Sequence, residues 1–103
     1  MRKIKVLIKD PGKKPRCVNV SDRLENLQKI VGGNIETFKF ASDATIICNE
    51  EGKLQGLPYN CYICGNHFFG TIILCGVSRD EFCDIPIGYS EIKKGFSRLW
   101  EEQ

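Results

Sequence analysis

The stretch Phe68-Phe-Gly-Thr-Ile-Ile-Leu-Cys-Gly-Val77 constrains this chain more than any other feature, because it is apolar almost throughout. A membrane span needs about 18 to 20 consecutive apolar residues. The longest such run here, Thr71 to Val77, is only strand-sized. A strand this apolar cannot leave one face in water, so it is expected at the centre of a sheet with both faces covered. The chain of 103 residues is short enough that it buries only about two-thirds of its unfolded surface. One small domain with one core and one site is expected.

The rest of the chain supplies neighbours for that strand. From Lys3 to Lys9, Ile4, Val6 and Ile8 alternate with Lys5, Leu7 and Lys9, the period of a strand with one face inward. Asp10-Pro11-Gly12-Lys13 reads as a turn, with Pro preset for the second position and Gly free for positive φ at the third. Val18 and Val20 then share a face, which closes a β-hairpin. Asp22-Arg-Leu-Glu25 fits a capping box and predicts a helix with Leu24, Leu27, Ile30 and Val31 on its apolar stripe. Gly32-Gly33 supplies its left-handed stop. Ile35 to Phe40 and Ala44 to Cys48 read as strands.

Asn49 to Asn60 breaks the pattern with two glycines, a proline and charged residues, and is expected to be an ordered loop with one helical turn. Ser90 is placed to cap a C-terminal helix with Ile92, Phe96, Leu99 and Trp100 on its apolar face, packed on its own sheet or on a second copy. The expected fold is therefore α+β: a mixed sheet of about five strands in the order ββαββ, loop, β, α, packed by two helices. Residues 1–103 form one domain, with a core over 1–88 and a C-terminal helix over 89–103.

Fifteen Lys and Arg against thirteen Asp and Glu leave a net charge of +2, so no whole-molecule field points at nucleic acid or at a membrane surface. Lys5 and Lys9 interrupt the N-terminal apolar residues before a run of signal-peptide length can form, so a cytoplasmic protein is expected. In that reducing compartment Cys17, Cys48, Cys61, Cys64, Cys75 and Cys83 are expected as thiols.

Three constellations carry candidate chemistry. Seven of the fifteen cations, Arg2, Lys3, Lys5, Lys9, Lys13, Lys14 and Arg16, lie in the N-terminal hairpin, opposed only by Asp10. Clustered cations are what phosphate contacts require. Yet alternation puts Lys3, Lys5 and Lys9 outward, where lysines on an edge also discourage aggregation, and no aromatic residue is interleaved for stacking. Cys61-x-x-Cys64 with His67 has the spacing of half a zinc site, with Cys75 or Cys83 as the fourth ligand. A lone pair lacks the second pair that makes the motif specific, and Gly65-Asn66 predicts a turn rather than the helix N-terminus that a redox pair needs. No metal and no cofactor is expected.

The third constellation is the loop. Asn49, Glu50, Glu51, Lys53 and Asn60, framed by Gly52, Gly56 and Pro58, form a set of donors and acceptors for a ligand or partner. Leu57 and Pro58 are its anchors to the core. Equally, the glycines make turns, the asparagines cap them and the charges are solvated. Glu50 and Glu51 are adjacent, so on an extended segment they point to opposite sides rather than flanking one bond. With His67 the sole histidine and no phosphate loop or nucleophile motif, catalysis is not expected.

Four segments together carry a resemblance: Pro11-Gly-Lys-Lys-Pro15, Leu27-Gln-Lys-Ile-Val-Gly-Gly-Asn-Ile-Glu36, Cys48 through Asn60, and Gly70-Thr71 leading into the apolar strand. In order and spacing, over Lys3 to Asp84, the chain resembles a domain-of-unknown-function family of small proteins common in phages and conjugative elements of low-GC Gram-positive bacteria. Members of that family often have an Arg after the Leu-Pro-x-Asn element, where this chain has Cys61, so no role of that Arg carries over. The Cys61/Cys64 pair is not a family feature.

The resemblance implies a phage or mobile-element setting. With it, the expected function is a non-enzymatic binding protein acting in counter-defence or host takeover, by binding a host protein or sequestering a nucleotide-derived signal. A nucleic-acid-binding regulator using the hairpin is the second class, and a zinc or redox module at Cys61 and Cys64 the third.

Overall fold

The computed structural model describes residues 2–86. The C-terminal helix expected from Ser90 lies outside the described residues. The elements run β1 (Lys3–Lys9), β2 (Arg16–Ser21), α1 (Leu24–Val31), β3 (Ile35–Ala41), β4 (Ala44–Asn49), β5 (Tyr59–Ile63), β6 (Asn66–Phe69), β7 (Ile72–Ser78) and β8 (Glu81–Cys83). Six strands form one sheet in the order β2-β1-β7-β4-β3, with β8 paired to β7, and β5 and β6 form a second sheet of two.

The architecture is α+β, but the main sheet is not mixed. Each of its pairings is antiparallel. Three of the pairings follow from the connections: β1 to β2, β3 to β4 and β7 to β8 are hairpins between consecutive strands, which join only antiparallel strands. Among the described residues there is one short helix.

β7 occupies the central place its composition demands. Ile72, Ile73, Leu74 and Cys75 are each 0% exposed, with β1 and β4 on either side and β8 continuing along the β1 side. One face of β7, with Ile73 and Cys75, packs with Ile4, Val6, Ile8 and Ile47 under Leu27 and Val31 of α1. The other, with Ile72 and Leu74, packs with Leu7 and Ile46 under Cys61, Ile63 and Phe68 of the small sheet. Each such fully buried aliphatic side chain contributes roughly 1.5 to 3 kcal/mol relative to exposure.

Several local expectations are corrected. The N-cap of α1 is Arg23, with no side-chain cap. Asp22 instead donates its backbone N–H to the Arg2 carbonyl and turns its carboxylate to the Arg2 guanidinium, so the pairing with the chain start outcompetes the capping box. Leu24, expected on the apolar stripe, is half-exposed, while Leu27 and Val31 are buried and Gly32 ends the helix at φ 85°. Lys9, expected outward, is buried at 3% exposure, because β1 is covered on both faces at its C-terminal end. The apolar run Phe68 to Val77 is two strands: Gly70, at φ 82°, hands the chain from β6 in the small sheet to β7 in the large one.

Candidate functional site

The segment after β4 is ordered by its own hydrogen bonds. Asn49 Oδ1 accepts from the Glu51 N–H at 2.8 Å, and the Asn49 carbonyl accepts from Gly52 N–H. Gln55 N–H then donates to the Glu51 carbonyl at 2.8 Å, one helical turn, and Leu57 N–H donates to that of Gly52. Asn49 is 6% exposed, and its Nδ2 donates to the Val31 carbonyl at 3.2 Å and to Gln55 Oε1 at 3.1 Å. Its role here is the structural one: it ties the turn to the C-terminal end of α1.

Asn60 is not a loop residue. It lies in β5, 7% exposed, and donates through Nδ2 to the carbonyls of Lys9 and Gly70. Leu57 is half-buried, and a Cβ on Gly70 would lie 2.7 Å from its Cδ1, so Leu57 packs directly over that glycine. Pro58 has an exposed side chain, and its carbonyl accepts from Gly70 N–H at 2.7 Å. Both line an apolar groove of about 320 Å³ beside Ile30, Val31 and Thr71.

Three of the expected site residues converge elsewhere. Asn49, Glu50 and Lys53 line a cleft of about 310 Å³ together with Glu36 and Phe38 of β3 and Cys48 of β4. His67, Phe68 and Phe69 of β6 form the opposite wall. Gly52 lies between the turn and that wall: a Cβ there would meet the Phe69 carbonyl at 2.7 Å, so only glycine lets the two approach. Phe38 and Phe68 meet edge to face at 5.5 Å across the cleft floor. Glu51, Asn60, Leu57 and Pro58 do not line this cleft.

Its charges are spread around an aromatic floor. Glu36, Glu50 and Lys53 are all exposed, and no ion pair among the described residues engages any of them. Cys48 is buried beneath, its thiol donating to the Glu36 carbonyl at 3.6 Å. Burial, and secondarily the Glu36 charge, push its pKa up to about 12, so it stays a thiol near neutral pH and is no nucleophile. Glu36, Phe38, Phe68 and Phe69 were missed by sequence reasoning because they lie on two strands whose meeting is a tertiary event.

The Cys61/Cys64 pair does not converge on a common point. Cys61 is 0% exposed in the core, whereas Cys64 is exposed at the β5–β6 turn. His67 instead pairs across the strands with Tyr62 and shares a 3.0 Å hydrogen bond between its Nδ1 and the Tyr59 hydroxyl. Among the described residues no group of three or more His, Cys, Asp or Glu is placed to hold a metal ion.

The N-terminal cations are partly committed as well. Arg2 lies 3.7 Å from Asp22 and 3.6 Å from Glu81, and Arg16 lies 3.5 Å from Asp10. Lys9 Nζ donates to the Asp10 carbonyl. Lys3, Lys5, Lys13 and Lys14 remain exposed. None of the described helices is long and apolar enough to cross a membrane.

A family described as a domain of unknown function, DUF3846, matches residues 4–97, nearly the whole chain. The chain belongs to the DUF3846 family. No curated protein and no solved structure matches it. For this DUF3846 member the cleft between the turn, β3 and β6 is the candidate site, because it combines a concave aromatic floor with exposed charges that make no ion pair among the described residues.

Proposed function

We propose that the protein is a non-enzymatic binding protein of a phage or mobile element, acting in the host cytoplasm in counter-defence by occupying a host protein. The cleft carries this reading. It is pre-formed by a turn held through Asn49, so that turn loses little freedom on binding, whereas each immobilised rotamer-rich side chain elsewhere costs about 0.5 to 1.5 kcal/mol. It is lined by aromatic rings and by no activated nucleophile. The alternative occupant, a nucleotide-derived signal, fits less well, since Glu36 and Glu50 oppose a single Lys53 where a phosphate would lie. Leu54, 86% exposed on the same turn, adds an apolar contact suited to a protein surface.

The test is affinity capture from bacterial host cells with the wild-type chain and the variants His67→Ala and Leu54→Asp, identified by mass spectrometry with thermal melts alongside. A host protein retained by wild type and lost by both variants at unchanged melting temperature supports the reading. A small nucleotide in the captured material, or retention that survives both variants but vanishes when Lys13, Lys14 and Arg16 are changed to Gln, overturns it.

A further inference from the structure

Resting on the binding reading above, we propose that the cleft selects an arginine side chain carried by an extended segment of the partner protein. Glu36 and Glu50, exposed and without an ion-pair partner among the described residues, line the same cleft as the half-buried Phe38 and Phe69. Carboxylates and aromatic rings lining one cleft are complementary to a cation, and a guanidinium can meet both at once: its plane stacks on a ring while its edge donates two parallel hydrogen bonds to a carboxylate. Lysine satisfies only the charge.

The source of that side chain follows from the strand that lines the cleft. Glu36 and Phe38 belong to β3, the last strand of the main sheet, which among the described residues is paired only with β4. A chain laid along that edge gains backbone hydrogen bonds from β3 and directs alternate side chains toward the cleft face. Lys53 then has an unfavourable role, since its ammonium repels the incoming cation. That sign separates this proposal from any anionic ligand, for which Lys53 is the main attraction.

The experiment is a titration followed by backbone amide chemical shifts of the full chain. The probes are acetyl-Gly-Arg-Gly amide, its alanine counterpart and ATP. The arginine peptide is expected to shift the amides of Phe38, Cys48, Glu50 and Phe69. Glu36→Gln and Glu50→Gln should each weaken it by roughly threefold, the scale of an exposed charge pair, and Lys53→Gln should strengthen it by roughly twofold. Equal shifts from the alanine peptide, no loss in either Gln variant, or ATP binding that depends on Lys53 would overturn the arginine assignment. The first two of those results leave the capture result for His67→Ala and Leu54→Asp intact, so failure of the ligand class and failure of the binding site are told apart.

Discussion

Asn60 donates through Nδ2 to the main-chain carbonyl of Lys9 at 2.8 Å, across 51 residues of sequence. The same amide donates to Gly70 at 2.7 Å, so one side chain pins β5 both to the end of β1 and to the glycine between β6 and β7. Two carbonyl acceptors fix the orientation of the amide, since only the nitrogen can donate to them, and they leave Oδ1 buried with no hydrogen-bond partner among the described residues. Asn60→Ala is expected to lower stability by about 1 to 3 kcal/mol, two hydrogen bonds' worth. Asn60→Asp should lose more, because a buried carboxylate then faces two carbonyls. Urea unfolding of both variants checks the order.

Asn49 does a comparable job at the other end of the turn. Asn49→Asp keeps the acceptor for Glu51 N–H but loses the donors to Val31 and Gln55, while Asn49→Ala loses all three contacts. Both variants are expected to be less stable than wild type, Ala by about 1 to 3 kcal/mol and Asp by more, because its buried carboxylate then faces the Val31 carbonyl. Amide exchange at Glu51 and Gly52 should quicken in Ala and not in Asp.

Cys64 and Gly65 form the β5–β6 turn with φ of 49° and 84°, left-handed at both positions. Asparagine tolerates that conformation better than cysteine, and Asn-Gly is the preferred pair for such a turn. Cys64→Asn should therefore raise stability by about 0.5 to 1 kcal/mol, read as a higher melting temperature at unchanged fold.

The thiols should sort by burial. Cys17 and Cys64 are exposed, and a disulfide-exchange reagent such as DTNB is expected to label them in the folded protein. Cys48, Cys61 and Cys75 are buried and should react only after unfolding. Labelling of all six at one rate would contradict the described core.

The same burial predicts a pH dependence. Desolvation pushes Cys48 and Cys75 from 9.0 up to about 12, so the unfolded chain loses those protons first. Their contribution to stability is complete below pH 9.0 and is lost as pH rises toward about 12. Lys9 works oppositely: burial lowers it from 10.5, the unfolded chain holds that proton more tightly, and stability is gained as pH climbs to 10.5. Lys9→Met should thus make the alkaline loss steeper, and Cys48→Ala with Cys75→Ala should make it shallower, in urea midpoints measured across that range.

What was legible in the sequence is what short-range pattern can carry. The β1–β2 hairpin follows from alternation and Pro11-Gly12, where Lys13 N–H donates to the Asp10 carbonyl and Gly12 adopts φ 73°. The stop of α1 follows from Gly32. The burial of β7 follows from its composition, since no half-solvated strand tolerates Ile-Ile-Leu-Cys. Two hairpins were only partly legible. Gly65-Asn66 indicated a turn after Cys64, but the flanking strands β5 and β6 were not read, and Arg79-Asp80, with positive φ at both residues, is not a pair whose chemistry announces a turn.

Within the candidate site, local sequence sufficed to single out Asn49, Glu50 and Lys53 as polar residues on a Gly-punctuated turn between apolar strands. It had no means of separating the asparagine that holds the turn from the charges that face outward, because both are polar in the same pattern and only burial tells them apart. The other wall of the cleft, Phe68 and Phe69, comes from a strand folded over the opposite face of the sheet. Lys9 was misplaced for the same reason: strand period assigns a side, but whether that side meets water depends on what later packs against it, here β5 with Asn60. Periodicity and turn chemistry act between residues a few positions apart and were decided by the sequence alone. The cleft, the buried lysine and the amide bridge to it depend on segments tens of residues distant being brought together by a shared apolar core, and only the tertiary structure decided them.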